Sequence, residues 1–141
     1  MTEPLRRIVL DTNAVLSAVS SRSPYRIILD ALFEKRYELC LTTDILLEYE
    51  EKIAQKFNRE TAELYTGGFL LLSNVVRVET FFDFKLIPND EDDNKFVNCY
   101  VSASADSLVT NDRHFNALKK IGFPSVTVWT VDEFVAWLKM N

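Results

Sequence analysis

Short apolar runs of strand length alternate with longer segments of helical periodicity along the whole chain, and this alternation leaves few folds open. Arg7 to Asp11 is β-branched, apolar and closed by an acid, the pattern of a buried strand. Tyr37 to Thr42, Val75 to Val78, Ser107 to Val109 and Ser125 to Trp129 read as further strands. Ser23-Pro24 predicts a helix start, with Ser as N-cap, Pro in the first turn, and Ile27, Ile28, Ala31 and Leu32 as the apolar face. A helix from about Thr43 to Phe57 follows from the spacing of Leu46, Tyr49, Ile53 and Phe57. Glu60 to Ser73 predicts another, weakened or bent at Gly67-Gly68. Thr80 to Asp92 carries Phe81, Phe82 and Phe84 with a Pro-Asn-Asp turn, and reads as a loop holding one or two buried aromatics. From Asp93 a helix runs to about Ala105 on a face of Phe96, Val97, Tyr100 and Val101. Arg113 to Lys120 is a short helix, and Thr130-x-x-Glu133 is a capping box that starts the last one. Strands in alternation with helices predict an α/β sandwich around a mostly parallel sheet with right-handed crossovers.

A chain of 141 residues fits one domain, 1–141, long enough to bury a core without disulfide staples. Apolar residues at 48% and charged residues at 26% describe a globular chain rather than a disordered one. No apolar run approaches the roughly 20 residues of a membrane span, and the N-terminus lacks the apolar core of a signal peptide. A cytoplasmic protein with no membrane partner is the expectation. Cys40 and Cys99 read as reduced thiols packed as small hydrophobes. One histidine and no paired C-x-x-C elements argue against structural zinc. The net charge of −5 argues at first against a nucleic-acid partner. Acids gathered in a metal pocket would reverse that sign locally.

Four acidic signatures stand at the edges of these elements: Leu10-Asp11-Thr12-Asn13, then Thr42 to Glu48, then Asp90 to Phe96, then Val109-Thr110-Asn111-Asp112. In open parallel sheets, sites form outside the carboxyl ends of the strands. Asp11 and Asp112 follow apolar strands directly, while Glu48 and Asp93 fall in first turns of helices at the same edge. Carboxylates from distant positions make an oxygen cage suited to Mg²⁺ or Mn²⁺. Each acid also has a plainer role. Asp11 could close a turn, although an acid after Ile-Val-Leu at a sheet centre is costly unless paired. Glu48 could pair with Lys52 at i+4, and Asp44 shares its face as a rival ligand. One of Asp90, Glu91, Asp92 and Asp93 should cap its helix, and Asp112 could cap the next. Asn13, Thr12, Ser17, Thr110 and Asn111 could orient ligands or satisfy turn amides. His114 lacks a nearby nucleophile signature and reads as a surface or partly packed histidine.

The order L-D-T-N, T-x-x-x-L-x-E, D-D-N-K-F and V-T-N-D-x-x-F resembles the PIN domain family, in particular its small prokaryotic toxin branch related to VapC. The likeness runs from Ile8 to about Trp137. It implies a three-layer α/β/α fold and a Mg²⁺- or Mn²⁺-dependent ribonuclease. Catalytic and metal-ligating roles would fall to Asp11, Glu48, Asp93 and Asp112, with Asn13 and Thr110 as polar positions beside the metal. RNA would be the substrate, with an antitoxin protein and a second copy of the chain as partners. One position departs: relatives often carry another acid two residues past the fourth motif acid, where His114 stands here. Two rivals are a PIN-like module that grips RNA or protein without cutting, and a small-molecule phosphohydrolase. The latter expects D-x-D after the strand, which Asp11-Thr12-Asn13 lacks. Were Asp11 and Asp112 to face opposite sides of the molecule, the nuclease reading would collapse.

Overall fold

Arg7–Leu10 forms β1, the central strand of a five-stranded sheet in which every pairing is parallel. The computed structural model describes residues 4–80, 83, 85, 91–120 and 125–141, the side chains of Glu91, Asp92 and Lys120 aside. β2 (Glu38–Leu41) pairs with β1, and β3 (Val75–Arg77) pairs with β2. On the other side of β1 lie β4 (Ser107–Val109) and then β5 (Val128–Trp129). The order β3-β2-β1-β4-β5 therefore reverses direction at β1. Right-handed crossovers put the helices of the two halves on opposite faces. The result is the parallel α/β sandwich that the alternation predicts, in the three-layer α/β/α form that the family resemblance implies. The crevice outside the carboxyl ends of β1 and β4 is the switch point at which such sheets hold ligands.

β1, β2 and β4 are apolar because helices cover both faces of the central strands. Ile8, Val9, Leu10, Leu39, Cys40, Leu41, Leu108 and Val109 are all fully buried. α3 (Thr43–Lys56) and α4 (Arg59–Leu71) form an antiparallel pair, and Phe69 of α4 meets Tyr49 of α3 edge-on at 6.4 Å. α6 (Val131–Met140) closes the other end, setting Phe134 against Tyr37 at 5.2 Å in an edge-to-face contact. Its capping box is present, with Thr130 and Glu133 each accepting from the other's backbone amide. Both cysteines are free and buried; burial pushes Cys40 up to about 11 and raises Cys99 as well, so neither is a reactive thiolate.

Several elements differ from the sequence reading, each for a local reason. α1 (Thr12–Val19) was not foreseen. Asp11 is its N-cap, accepting from the Asn13 amide, and Ala14, Val15, Ala18 and Val19 form the buried face. Ser23 caps a turn instead of a helix, accepting from the Tyr25 amide at 3.0 Å, and α2 begins only at Ile27 and ends at Phe33. α4 runs unbroken through Gly67 and Gly68; neither glycine has positive φ, and burial of the flanking Thr66 and Phe69 outweighs the entropy cost of roughly 0.5–1 kcal/mol per glycine. α5 (Glu91–Ala103) starts two residues before Asp93, which leaves Asp93 inside the first turn and not at the cap. β5 is shorter than the Ser125 to Trp129 expectation, and Arg113–Lys120 is a 3-10 helix. The loop read between Thr80 and Asp92, with Phe81, Phe82 and Phe84, lies largely outside the described residues.

Candidate metal centre

Asp11 leaves β1 at the switch point. Its backbone amide donates to Val109 of β4 at 3.0 Å, extending the ladder one residue beyond the strand. The residue is only 6% exposed. Thr110 donates its hydroxyl to Oδ2 at 2.5 Å and the Asn13 amide donates to Oδ1 at 2.9 Å, so both oxygens are oriented. Burial nevertheless raises the Asp11 carboxyl above its ordinary value. The two hydrogen bonds oppose that rise, and the neighbouring charges of Asp112 and Glu48 add to it. Asp11, Asp112 and Glu48 therefore share one electrostatic neighbourhood, although they come from β1, the turn after β4, and α3.

Thr110 also ties Asp112 in place, because its hydroxyl accepts from the Asp112 amide at 3.0 Å. One buried threonine thus bridges the first and fourth motifs. Asp112 in turn accepts from the His114 amide at 2.9 Å, a local turn that starts the 3-10 helix. The imidazole Nδ1 of His114 lies 3.5 Å from Asp112 Oδ1 and 3.5 Å from Asp93 Oδ2 of α5. The sequence alone read His114 as a surface or partly packed histidine. Its side chain is indeed 66% exposed, but it is turned onto two carboxylates.

Glu48 sits in the second turn of α3, one turn later than expected. Its partner is not Lys52. Lys95 of α5 reaches Oε1 at 2.5 Å, and Thr12 of α1 donates its hydroxyl to Oε2. Lys95 was missed because the i+4 lysine looked sufficient; the D-D-N-K-F motif was the available signal. Asp44 is exposed and shares with Glu48, Glu51, Lys52 and Lys95 a cleft of about 310 Å³. Among the other flanking groups, Asn111 accepts from the Val131 amide at 2.9 Å and so anchors the start of α6. Ser17 donates to the Ala14 carbonyl within α1. Asn13 contributes its backbone amide to Asp11, and its residue is exposed. Next to Asp112 a second cleft of about 220 Å³ is lined by Thr110, Asn111, Arg113, Asn116 and Lys119, which sets two cations beside the acids.

The Glu48–Lys95 pair is about one-fifth exposed on each side. Removing one partner leaves a poorly solvated charge, a loss of 3–5 kcal/mol for a fully buried pair and less where water reaches. Lys95→Met is expected to lower stability by roughly 1–2 kcal/mol in urea, with Glu48→Gln on the same background recovering part of it. Additive effects in that double-mutant cycle would show that the pair contributes nothing.

The PIN domain family profile matches residues 7–114. No curated protein matches the chain. Solved structures of similar fold include VapBC2 from Rickettsia felis, bound to a DNA fragment from its promoter. That likeness has a TM-score of 0.61 at 16% identity, covering 88% of this chain and 98% of the other. DNA-bound VapBC from Salmonella typhimurium gives a TM-score of 0.60 at 16% identity, with 90% and 99% covered. PAE2754 from Pyrobaculum aerophilum gives 0.58 at 16%, with 96% and 91% covered.

Proposed function

The chain belongs to the PIN domain family, and from that premise we propose that it is a metal-dependent ribonuclease, the toxin component of a toxin–antitoxin module. The observation that carries the reading is Asp11. A carboxylate at the switch point, buried and pushed up by burial and by Asp112 and Glu48, is a costly arrangement unless a cation shares the space. The donor set fits a hard divalent ion: carboxylates from separate elements, with Asp93 and Asp112 offering oxygens within 4.8 Å of each other. Asp11, Asp93 and Asp112 would hold Mg²⁺ or Mn²⁺, with Glu48 beside them. The ion, when bound, neutralises phosphate charge and acidifies the attacking water.

The chain's own residues do the rest. Thr110 and the Asn13 amide orient the two oxygens of the Asp11 carboxylate. Lys95 and Thr12 hold Glu48 in one orientation and lower the repulsion among the acids. Arg113 and Lys119 line the cleft beside Asp112, where they suit the flanking phosphates of a single strand. The VapBC structures support an antitoxin partner. Leu64, Leu70 and Leu71 of α4 are exposed apolar side chains that a partner segment or a second copy of the chain would cover. Among the described residues no helix is long and apolar enough to cross a membrane. The whole chain is read as one domain.

The test is end-labelled RNA incubated with the purified protein and Mg²⁺ or Mn²⁺. Cleavage leaving 5′-phosphate and 3′-hydroxyl ends, stopped by chelator and restored by excess metal, is the expected outcome. Cleavage undiminished in chelator, or none on any RNA of a broad panel with metal present, would overturn the reading.

A further inference from the structure

His114 stands out because the site's other donors are oxygens. Among the described residues Asp93, Asp112 and His114 form a group whose ligand atoms all lie within 4.8 Å of one another. One hydrogen bond and one packing contact aim the ring. The His114 amide donates to Asp112 Oδ1, which turns the chain back over that carboxylate. The 3-10 helix Arg113–Lys120 then begins, with Phe115 fully buried as its anchor. With Phe115 packed inward, the neighbouring ring is carried over the carboxylates, and Nδ1 stands 3.5 Å from an oxygen of each acid. Donors around a shared ion at about 2.1 Å are separated by about 3.0–3.4 Å in octahedral or tetrahedral geometry. The ring nitrogen thus stands within a few tenths of an ångström of that spacing from each acid, and the two carboxylate oxygens lie within 4.8 Å of one another. The side chains of Asp93 and Asp112 are 17% and 34% exposed against 66% for His114, so the ring forms the outer wall of the group.

We propose that His114 is a direct metal ligand, and that with Asp93 and Asp112 it makes a mixed nitrogen–oxygen site selecting Mn²⁺ or another first-row transition ion over Mg²⁺. This rests on the metal-dependent nuclease reading above and deepens it. Imidazole suits first-row transition ions such as Fe²⁺, Ni²⁺ and Zn²⁺, and Mn²⁺, though at home among carboxylates, accepts a nitrogen donor more readily than Mg²⁺, which is held by oxygen and gives up its water reluctantly. An exposed histidine that merely neutralises two acids would instead weaken binding of any cation.

The experiment uses the full chain loaded with Mn²⁺ and pulsed electron paramagnetic resonance, which detects a ¹⁴N nucleus bonded to the ion. The wild type is expected to show nitrogen coupling that disappears in both His114→Ala and His114→Asp. The ratio of Mn²⁺ to Mg²⁺ affinity, from competition titration, should fall about 10-fold or more in His114→Asp. Mn²⁺ that binds the wild type and is lost in Asp11→Asn, yet shows no nitrogen coupling and an unchanged affinity ratio in the His114 variants, overturns the ligand assignment and leaves the nuclease reading standing. Failure of the wild type to bind Mn²⁺ at all overturns both.

Discussion

Asp11→Asn is expected to abolish RNA cleavage, by at least about 10³-fold or ~4 kcal/mol of transition-state stabilisation, while making the metal-free protein more stable. The two effects share one cause. Burial is the largest influence on Asp11 and raises its carboxyl above the ordinary 3.8; Thr110 and the Asn13 amide pull it down, and Asp112 and Glu48 push it further up. The folded chain thus binds this proton more tightly than the unfolded chain. The contribution of Asp11 to stability is greatest below the unfolded value, is lost as pH rises through the folded value, and stays at its low plateau at neutral pH. Asparagine keeps the shape and one acceptor oxygen and removes the charge, and the burial penalty it relieves outweighs the one hydrogen bond that its amide nitrogen cannot accept. In chelator at pH 7 the variant should melt higher than the wild type, each kcal/mol being worth about 3–4 °C at this chain length. Metal reverses the order. At a concentration near 100 times its dissociation constant an ion stabilises the wild type by about 2.7 kcal/mol, and the variant should respond far less. Paired melts in chelator and in Mn²⁺ decide the matter. A variant that retains cleavage, or that loses stability in chelator, would remove Asp11 from the site.

Phe69→Ala is expected to cost ~3–5 kcal/mol, a large part of the total stability of a domain this size. Phe69 is fully buried, with the rings of Phe33, Tyr49 and Tyr65 at 6.1, 6.4 and 6.4 Å. It locks α4 onto α3, the helix that carries Glu48, and Tyr49 of the same helix donates its hydroxyl to the Leu10 carbonyl one residue before Asp11. Truncation opens a cavity in this cluster, and activity should fall at temperatures where the variant begins to unfold. Urea titration checks it: the midpoint drops while the slope is unchanged. Leu71→Ala on the same helix is the contrast. Leu71 is 88% exposed, and its loss should stay within about 0.5 kcal/mol. Equal effects from the two changes would mean that the Phe69 cluster is not the core it looks to be.

Where a structural decision is made by groups a few residues apart, the residues announce it. The alternation of apolar runs and helical periods specified a parallel sheet, because strands buried on both faces must be apolar throughout. Asp11 at a strand end and the Thr130–Glu133 capping box were readable for the same reason. The missed helix α1 was also local, and the Asp11 cap followed by Ala14, Val15 and Ala18 could have revealed it.

Pairing across the switch point is a different matter. Nothing in the neighbourhood of Glu48 says that Lys95, rather than Lys52, will be its partner, since the two groups meet only after α5 crosses back over the sheet. Nor do neighbouring residues tell that Thr110 serves both Asp11 and Asp112, or that His114 faces Asp93. The amino-acid sequence by itself determined the layers, the strand ends and the acids available at them. Which charges meet there was decided by the tertiary structure alone, because those contacts depend on how crossovers bring separate elements to one edge, and no spacing along the chain encodes that distance.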